Sequence, residues 1–178
     1  MNILILGDIM GTSGKNEIVK NLKNIIKKNK IEFTVINGEN AAEDGRGITK
    51  EIAEDFFFNG ADVITSGNHI WDKSEITNFI CKENRLLRPQ NLAQGSPGNG
   101  YGFFYSKNKK FKVAVINLMG NVFMRKTEDL FSAAQDMQNK IKLKKDVDFI
   151  IVDIHGEITS EKMAMGHYYD GKATAVVG

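Results

Sequence analysis

The sequence predicts an α/β fold in which a parallel sheet forms first and a second, partly antiparallel sheet follows. From Asn2 to Thr65, short apolar runs alternate with helix-length segments, a rhythm that requires parallel neighbours and right-handed crossovers. Further on, the rhythm changes to two apolar runs flanking a lysine-rich turn, which reads as a hairpin. Four times an apolar run ends and polar side chains suited to metals follow at once: Leu6-Gly7-Asp8, Asn37-Gly38-Glu39-Asn40, Ser66-Gly67-Asn68-His69 and Asp153-Ile154-His155. In open α/β sheets ligands bind just beyond the carboxyl ends of the strands, so these four segments are expected to meet on one rim.

Asn2 to Leu6 reads as a buried strand. Lys15 to Lys28 follows as a helix, with Ile18, Val19, Leu22, Ile25 and Ile26 falling on one stripe. Ile31 to Ile36 is the second strand. Thr49 can cap a helix running to Asn59, with Gly60 ending it in a left-handed conformation, and Ala61 to Thr65 is the third strand. Asp72-Lys-Ser-Glu75 has capping-box spacing and starts a helix carrying Cys81. Leu86 to Gly102, rich in proline, glycine and asparagine, reads mostly as loop. Phe103 to Ser106 and Lys112 to Leu118 form the hairpin arms around Lys107-Asn-Lys-Lys110. A helix from about Thr127 to Lys142, a strand Phe149 to Ile154 and a strand Ala173 to Val177 follow. No repeat, low-complexity tract or linker interrupts residues 1–178, so a single domain is expected.

Composition narrows the function classes. Apolar residues make up 42% and charged residues 26% of 178, which is globular composition. The net charge of +2 rests largely on scattered lysines such as Lys27, Lys28, Lys30, Lys144 and Lys145, which read as solvated surface and give no DNA-binding feature. The only cysteine, Cys81, lies among Ile76, Phe79 and Ile80 and is expected to be a small buried hydrophobe rather than a nucleophile. The apolar run Ile3 to Leu6 lacks a basic lead and is too short for a signal core or a membrane span, so no membrane association and a cytoplasmic protein are expected.

The loop Gly7-Asp8-Ile-Met-Gly11-Thr-Ser-Gly14-Lys15 invites a phosphate-loop reading that its spacing rejects. Ile9 stands where a P-loop needs glycine, and glycines at 7, 11 and 14 do not form Gly-x-Gly-x-x-Gly. The same spacing counts against a doubly wound nucleotide-cofactor domain. Asp8 is therefore read as a metal ligand, the alternative being a turn or helix-cap aspartate. Beside it, Glu39 could bridge two cations with its two oxygens, and Asn40 could add a neutral amide oxygen. Glu43 and Asp44 read as surface charges. Asn68 offers an amide oxygen to a metal, and His69 an imidazole that protonates a leaving alkoxide or stabilises phosphoryl charge without being a ligand. His155 follows an apolar strand as a ligand candidate. Glu157 either orients an imidazole or pairs with a lysine, and His167 reads as structural. Trp71, Phe56 to Phe58 and Phe123 are core or cleft-wall candidates, with nothing in the sequence to mark them as a base-stacking platform. Oxygen and nitrogen donors without thiolate suit manganese, iron or zinc.

In this order the segments resemble the calcineurin-like metallophosphoesterases, whose general pattern is Asp-x-His, Gly-Asp, Gly-Asn-His, His and Gly-His-x-His. The sequence is more similar to the YmdB-like bacterial branch, through Gly7-Asp8-Ile9, Gly38 to Ala41, Gly67 to Asp72, Leu86 to Pro89, Pro97 to Gly102, Val115 to Leu118 and Thr159 to Lys162. The resemblance runs along the whole chain. It implies an α-β-β-α sandwich of two mixed sheets flanked by helices, and a two-metal phosphodiesterase acting on 2′,3′-cyclic nucleotides or related small phosphodiesters. Iron or manganese is the implied metal, with zinc as the other option; a homo-oligomer is compatible. Asp8 and Asn40 would hold the first metal, Glu39 would bridge, Asn68 and His155 would hold the second, and His69 would donate the proton. Met10 stands where the wider superfamily has a ligand histidine, a gap for Asn40 to fill. The family continues past the equivalent of Val176-Val177-Gly178 into Thr-His-Thr-His, one ligand for each metal. The resemblance thus implies a domain whose C-terminal part is missing here, with a catalytically inactive nucleotide- or partner-binding domain as the alternative function.

Overall fold

The computed structural model describes residues 1–178 throughout. In chain order the elements are β1 (Ile3–Leu6), α1 (Gly11–Lys28), β2 (Phe33–Asn37), α2 (Lys50–Phe58), β3 (Val63–Thr65), α3 (Ile76–Ile80), β4 (Tyr101–Tyr105), β5 (Lys112–Met119), α4 (Leu130–Lys140), β6 (Phe149–His155), α5 (Thr159–Tyr168) and β7 (Ala175–Val177). The first sheet has the order β1-β2-β3 and is wholly parallel. The second has the order β4-β5-β6-β7, with β4 antiparallel to β5 and the remaining pairs parallel. Only the second sheet is mixed, which corrects the expectation of two mixed sheets. The first three strands are joined by helices, and helical crossovers leave neighbouring strands parallel.

The layers follow from the pleat, which sends alternate side chains to opposite faces. Ile36 and Ile64 face outward and pack with Leu22 of α1, Ala53 and Phe56 of α2, and Ile76 and Ile80 of α3. On the other side Ala114, Ile116, Ile150 and Val152 pack with Leu130, Ala134 and Met137 of α4 and Met165 of α5. Between the sheets, Phe33, Val35 and Val63 meet Val113, Val115 and Ile151. Helices, sheet, sheet and helices therefore stack around three apolar layers, the expected α-β-β-α sandwich.

Several local expectations shift. Helix α1 begins at Gly11 rather than Lys15: Gly11 takes φ +59°, and its N–H reaches Asn40 O at 2.8 Å, so a tertiary contact overrides the weak helix propensity of Gly-Thr-Ser-Gly. Thr49 caps α2 as expected, its hydroxyl accepting from Ile52 N at 3.2 Å. The capping box at Asp72 does not form. Asp72 turns to His69, and Glu75 accepts from Lys50 N at 2.8 Å, so α3 is a single short turn. Cys81 falls at its end and is exposed, not buried. Helix α5 escapes the periodicity reading because Met165 alone is buried along it. No helix is long and apolar enough to cross a membrane.

Candidate metal centre

The inward-facing positions of four strands change character at the carboxyl end of the sandwich. After Phe33 and Val35 comes Asn37; after Val63, Thr65; after Val113 and Val115, Asn117; after Phe149 and Ile151, Asp153. These polar groups lie between the sheets and satisfy one another. Asp153 Oδ2 accepts from Asn37 Nδ2 at 3.1 Å and from the Thr65 hydroxyl, and Asn117 Oδ1 accepts from Ser66 N at 2.9 Å. Asp153 is only 6% exposed, and burial pushes its carboxyl above the usual carboxylate range, against the lowering influence of the Thr65 and Asn37 hydrogen bonds. Asn37 carries the network one step further, since its Oδ1 accepts from Glu39 N at 3.2 Å.

Above this floor the anticipated side chains gather. Asp8, Asn40, Asn68, His69 and His155 line one cavity of about 530 Å³, together with Asn37, Asp153, Glu157 and Lys162. Asn40 Nδ2 donates to Asp8 Oδ1 at 2.8 Å, joining the loops after β1 and β2. Across the cavity, His155 Nε2 lies 2.6 Å from Asn68 Oδ1, and its Nδ1 lies 2.6 Å from Glu39 Oε2. Glu39 is 1% exposed, and its other oxygen accepts from His69 N at 3.0 Å. Gly67 makes this convergence sterically feasible. A Cβ there would stand 2.4 Å from His155 Cγ and 2.5 Å from Glu39 Oε2, so no larger residue fits with these rotamers. His69 Nδ1 is 2.6 Å from Asp72 Oδ2. Because the carboxylate only accepts, Nδ1 carries the proton, which leaves Nε2 as the other working nitrogen of the ring.

The donor set fits a metal. Carboxylates, amides and imidazoles face one cavity without a thiol, and two buried oxygens, Glu39 Oε2 and Asn40 Oδ1, have no hydrogen-bond partner. His155 Nδ1 approaches Glu39 Oε2 without hydrogen-bond alignment, so proximity alone does not satisfy that oxygen. Buried oxygens left unpaired in this way are unfavourable unless something electropositive meets them. Taking imidazoles, thiols and carboxylates alone, no three gather tightly enough to hold a metal ion; Asn40 and Asn68 would have to supply the remaining donors.

Other candidates separate clearly. Met10 is exposed at the head of α1, and Glu43 and Asp44 are surface charges, the latter held below the usual carboxylate range by Lys73 at 2.7 Å. Glu157 lines the cavity but makes no ion pair, and His167 is exposed in the last turn of α5, away from it. Phe56 is core and Trp71 packs against the core, whereas Phe58 and Phe123 are exposed. Sequence reasoning assigned no role to Asn37, Thr65, Asn117 or Asp153. Their signal was present in the period-2 pattern: each follows inward-facing apolar residues on its strand.

An α-β-β-α sandwich with oxygen and nitrogen donors converging beyond the strand ends is the architecture of the metallophosphoesterase class. A family model described as YmdB-like protein matches residues 4–178, and the chain belongs to that family. It is 42% identical over 178 residues to the 2′,3′-cyclic-nucleotide 2′-phosphodiesterase of Bacillus subtilis strain 168, covering all of this chain and 66% of that protein. Among solved structures it is similar to a hypothetical protein from Thermus thermophilus, with a TM-score of 0.87 and 31% identity over 99% of this chain and 66% of that one. A novel phosphatase from Mycoplasma pneumoniae gives a TM-score of 0.85 and 32% identity over 97% of this chain and 61% of that one. The chain spans just under two thirds of the length of these proteins.

Proposed function

We propose that this chain carries a two-metal phosphodiesterase site for 2′,3′-cyclic nucleotides or related small phosphodiesters, working in the cytoplasm. The observation that carries the reading is the cavity that Asn40 shares with Asp8, Asn68, His69 and His155, where the buried Asn40 Oδ1 has no hydrogen-bond partner and the buried Glu39 Oε2 has only the close approach of His155 Nδ1. The similarity to the Bacillus subtilis phosphodiesterase supports the choice of substrate. Asp8 and Asn40 would hold one cation and Asn68 and His155 the other, with Glu39 between them. Iron or manganese suits this donor set best. When bound, such ions neutralise phosphoryl charge and acidify water.

The chain's own work is positioning and proton transfer. Asp72 fixes the His69 ring through Nδ1, leaving Nε2 to carry the proton that the departing ribose oxygen takes up. As water attacks phosphorus in line, the new P–O bond forms opposite the breaking one, and the water's proton passes to solvent. Asn37 and Asp153 hold the Glu39 backbone from beneath, so the carboxylate is aimed before substrate arrives.

The test separates binding from chemistry. His69→Ala should lower turnover of 2′,3′-cyclic AMP by about 100-fold or more while manganese content by elemental analysis stays near wild type. Glu39→Ala should lose both metals. Equal metal loss in the two variants refutes these roles. Nucleotide binding without metal or turnover identifies a binding domain instead.

A further inference from the structure

The segment between β5 and α4 carries the most exposed large apolar side chain in the molecule, Phe123, at 85% exposure. Phe123 also takes φ +60°, the left-handed region that bulky residues rarely enter and that tends to persist where the surroundings enforce it. The segment leaves the second sheet beside the candidate site: Gly120 N donates to His155 O at 2.8 Å. At the other side of its tip, Arg125 Nη1 lies 3.5 Å from Asp72 Oδ1, and the second oxygen of Asp72 holds His69. The segment therefore passes beside the cavity, held near His155 at one end and near Asp72 at the other, while none of its residues lines the cavity.

Its base is fixed. Glu161 accepts from Asn121 N at 2.8 Å and from Val122 N at 3.3 Å. The Asn121 side chain closes the segment on itself, donating to Thr127 Oγ1 at 2.7 Å and Glu128 O at 3.1 Å and accepting from Leu130 N at 2.9 Å. An anchored loop that presents a phenyl ring to solvent has apolar area to cover and little ordering entropy left to lose. The cavity itself is lined by no phenylalanine, tyrosine or tryptophan, and its two imidazoles, His69 and His155, are those assigned to the phosphoryl end, so a base entering with its phosphate finds no free π-face inside.

We propose that Phe123 is the base-stacking platform of this site and selects for nucleotides over phosphodiesters that lack a base. The proposal rests on the nucleotide reading above. The phosphoryl group occupies the cavity at His69 and His155, and the base lies outside it against the Phe123 ring. Stacking of this kind is lost on truncation to alanine, with an expected effect of about tenfold or more in affinity.

The experiment compares wild type, F123A and F123W, each loaded with manganese, on 2′,3′-cyclic AMP and on ribose 2′,3′-cyclic phosphate. The expected result is that F123A raises KM for the nucleotide about tenfold more than for the base-less compound, while F123W restores the preference. Calorimetric binding of adenosine 2′-monophosphate against ribose 2-phosphate gives the same comparison without turnover. Phe123 packs into no core layer, so folding should survive the change. A wild type that hydrolyses neither substrate, yet binds the nucleoside phosphate more tightly than F123A does, upholds stacking and removes the hydrolase reading. Equal effects on nucleotide and base-less ligand, or none on either, overturn the proposal.

Discussion

Gly67→Ala should damage the candidate site more than any other single methyl addition on its rim. The glycine is required there for space and not for backbone freedom, because its φ lies outside the left-handed region. A Cβ would meet His155 Cγ at 2.4 Å and His155 Cδ2 and Glu39 Oε2 at 2.5 Å. Ordinary carbon contacts lie at about 3.5 Å, so the imidazole must retreat by about 1 Å. That displacement breaks the 2.6 Å approaches of His155 to Asn68 and Glu39. Overpacking of this kind costs about 1–3 kcal/mol, which for a protein of this size lowers Tm by roughly 3–10 °C. Loss of ligand aim should weaken manganese binding by about 10–100-fold. Gly7→Ala is the matched control, since a Cβ at Gly7 meets nothing within 4 Å, and its Tm should stay near wild type. Differential scanning calorimetry and manganese titration of both variants decide the matter. A G67A protein that melts with wild type and binds manganese equally well refutes the steric reasoning.

Two further outcomes follow from charge and burial. Asp153→Ala removes the acceptor of both Thr65 and Asn37 and should destabilise by about 2–4 kcal/mol in urea denaturation, whereas Asp153→Asn, which keeps an acceptor oxygen, should cost clearly less; equal losses sink this account of the floor. Glu83 is held below its ordinary value of 4.5 by hydrogen bonds from Arg85, so the contribution of the pair is present above that pH and lost as pH falls through the folded value. The pair is partly exposed, so Glu83→Gln should lower stability at pH 7 by less than about 1 kcal/mol, with a gap that shrinks below pH 4.5; a gap that widens on acidification refutes the assignment.

Much of this arrangement was legible in the amino-acid order because strand ends in an α/β sheet have one destination. Asp8, Asn40, Asn68, His69 and His155 stand immediately after β1, β2, β3 and at the end of β6, and they do share a cavity. Glu39 lies against His69 and His155 without lining the cavity itself, and its burial was not foreseen, since it depends on contacts that sequence spacing does not reveal. The floor was missed for a related reason. Asp153 looked like a neighbour of a ligand, whereas its partner Asn37 lies on the opposite sheet, and only the face-to-face stacking of the two sheets brings them together. Cys81 was misjudged because its helix was expected to start at a capping box. Once Asp72 turns to His69, the helix shortens and the cysteine falls outside its packed face.

The use of amides at positions 40 and 68 has an electrostatic logic on the two-metal reading. Asp8 and Glu39 contribute two negative charges, and Asp153 below them adds at most one more, its carboxyl raised above the usual range by burial. Two divalent cations held by that set would leave the cavity with a net positive charge, suited to a phosphodiester carrying one negative charge. Carboxylates in place of Asn40 and Asn68 would bind the cations more tightly but cancel the charge that draws substrate in. Crowded carboxylates would also raise one another's pKa, so that protons would compete with the metals for them. On that reading the unpaired Asn40 oxygen would mark a compromise in which a neutral donor holds a metal and leaves the positive field for the substrate.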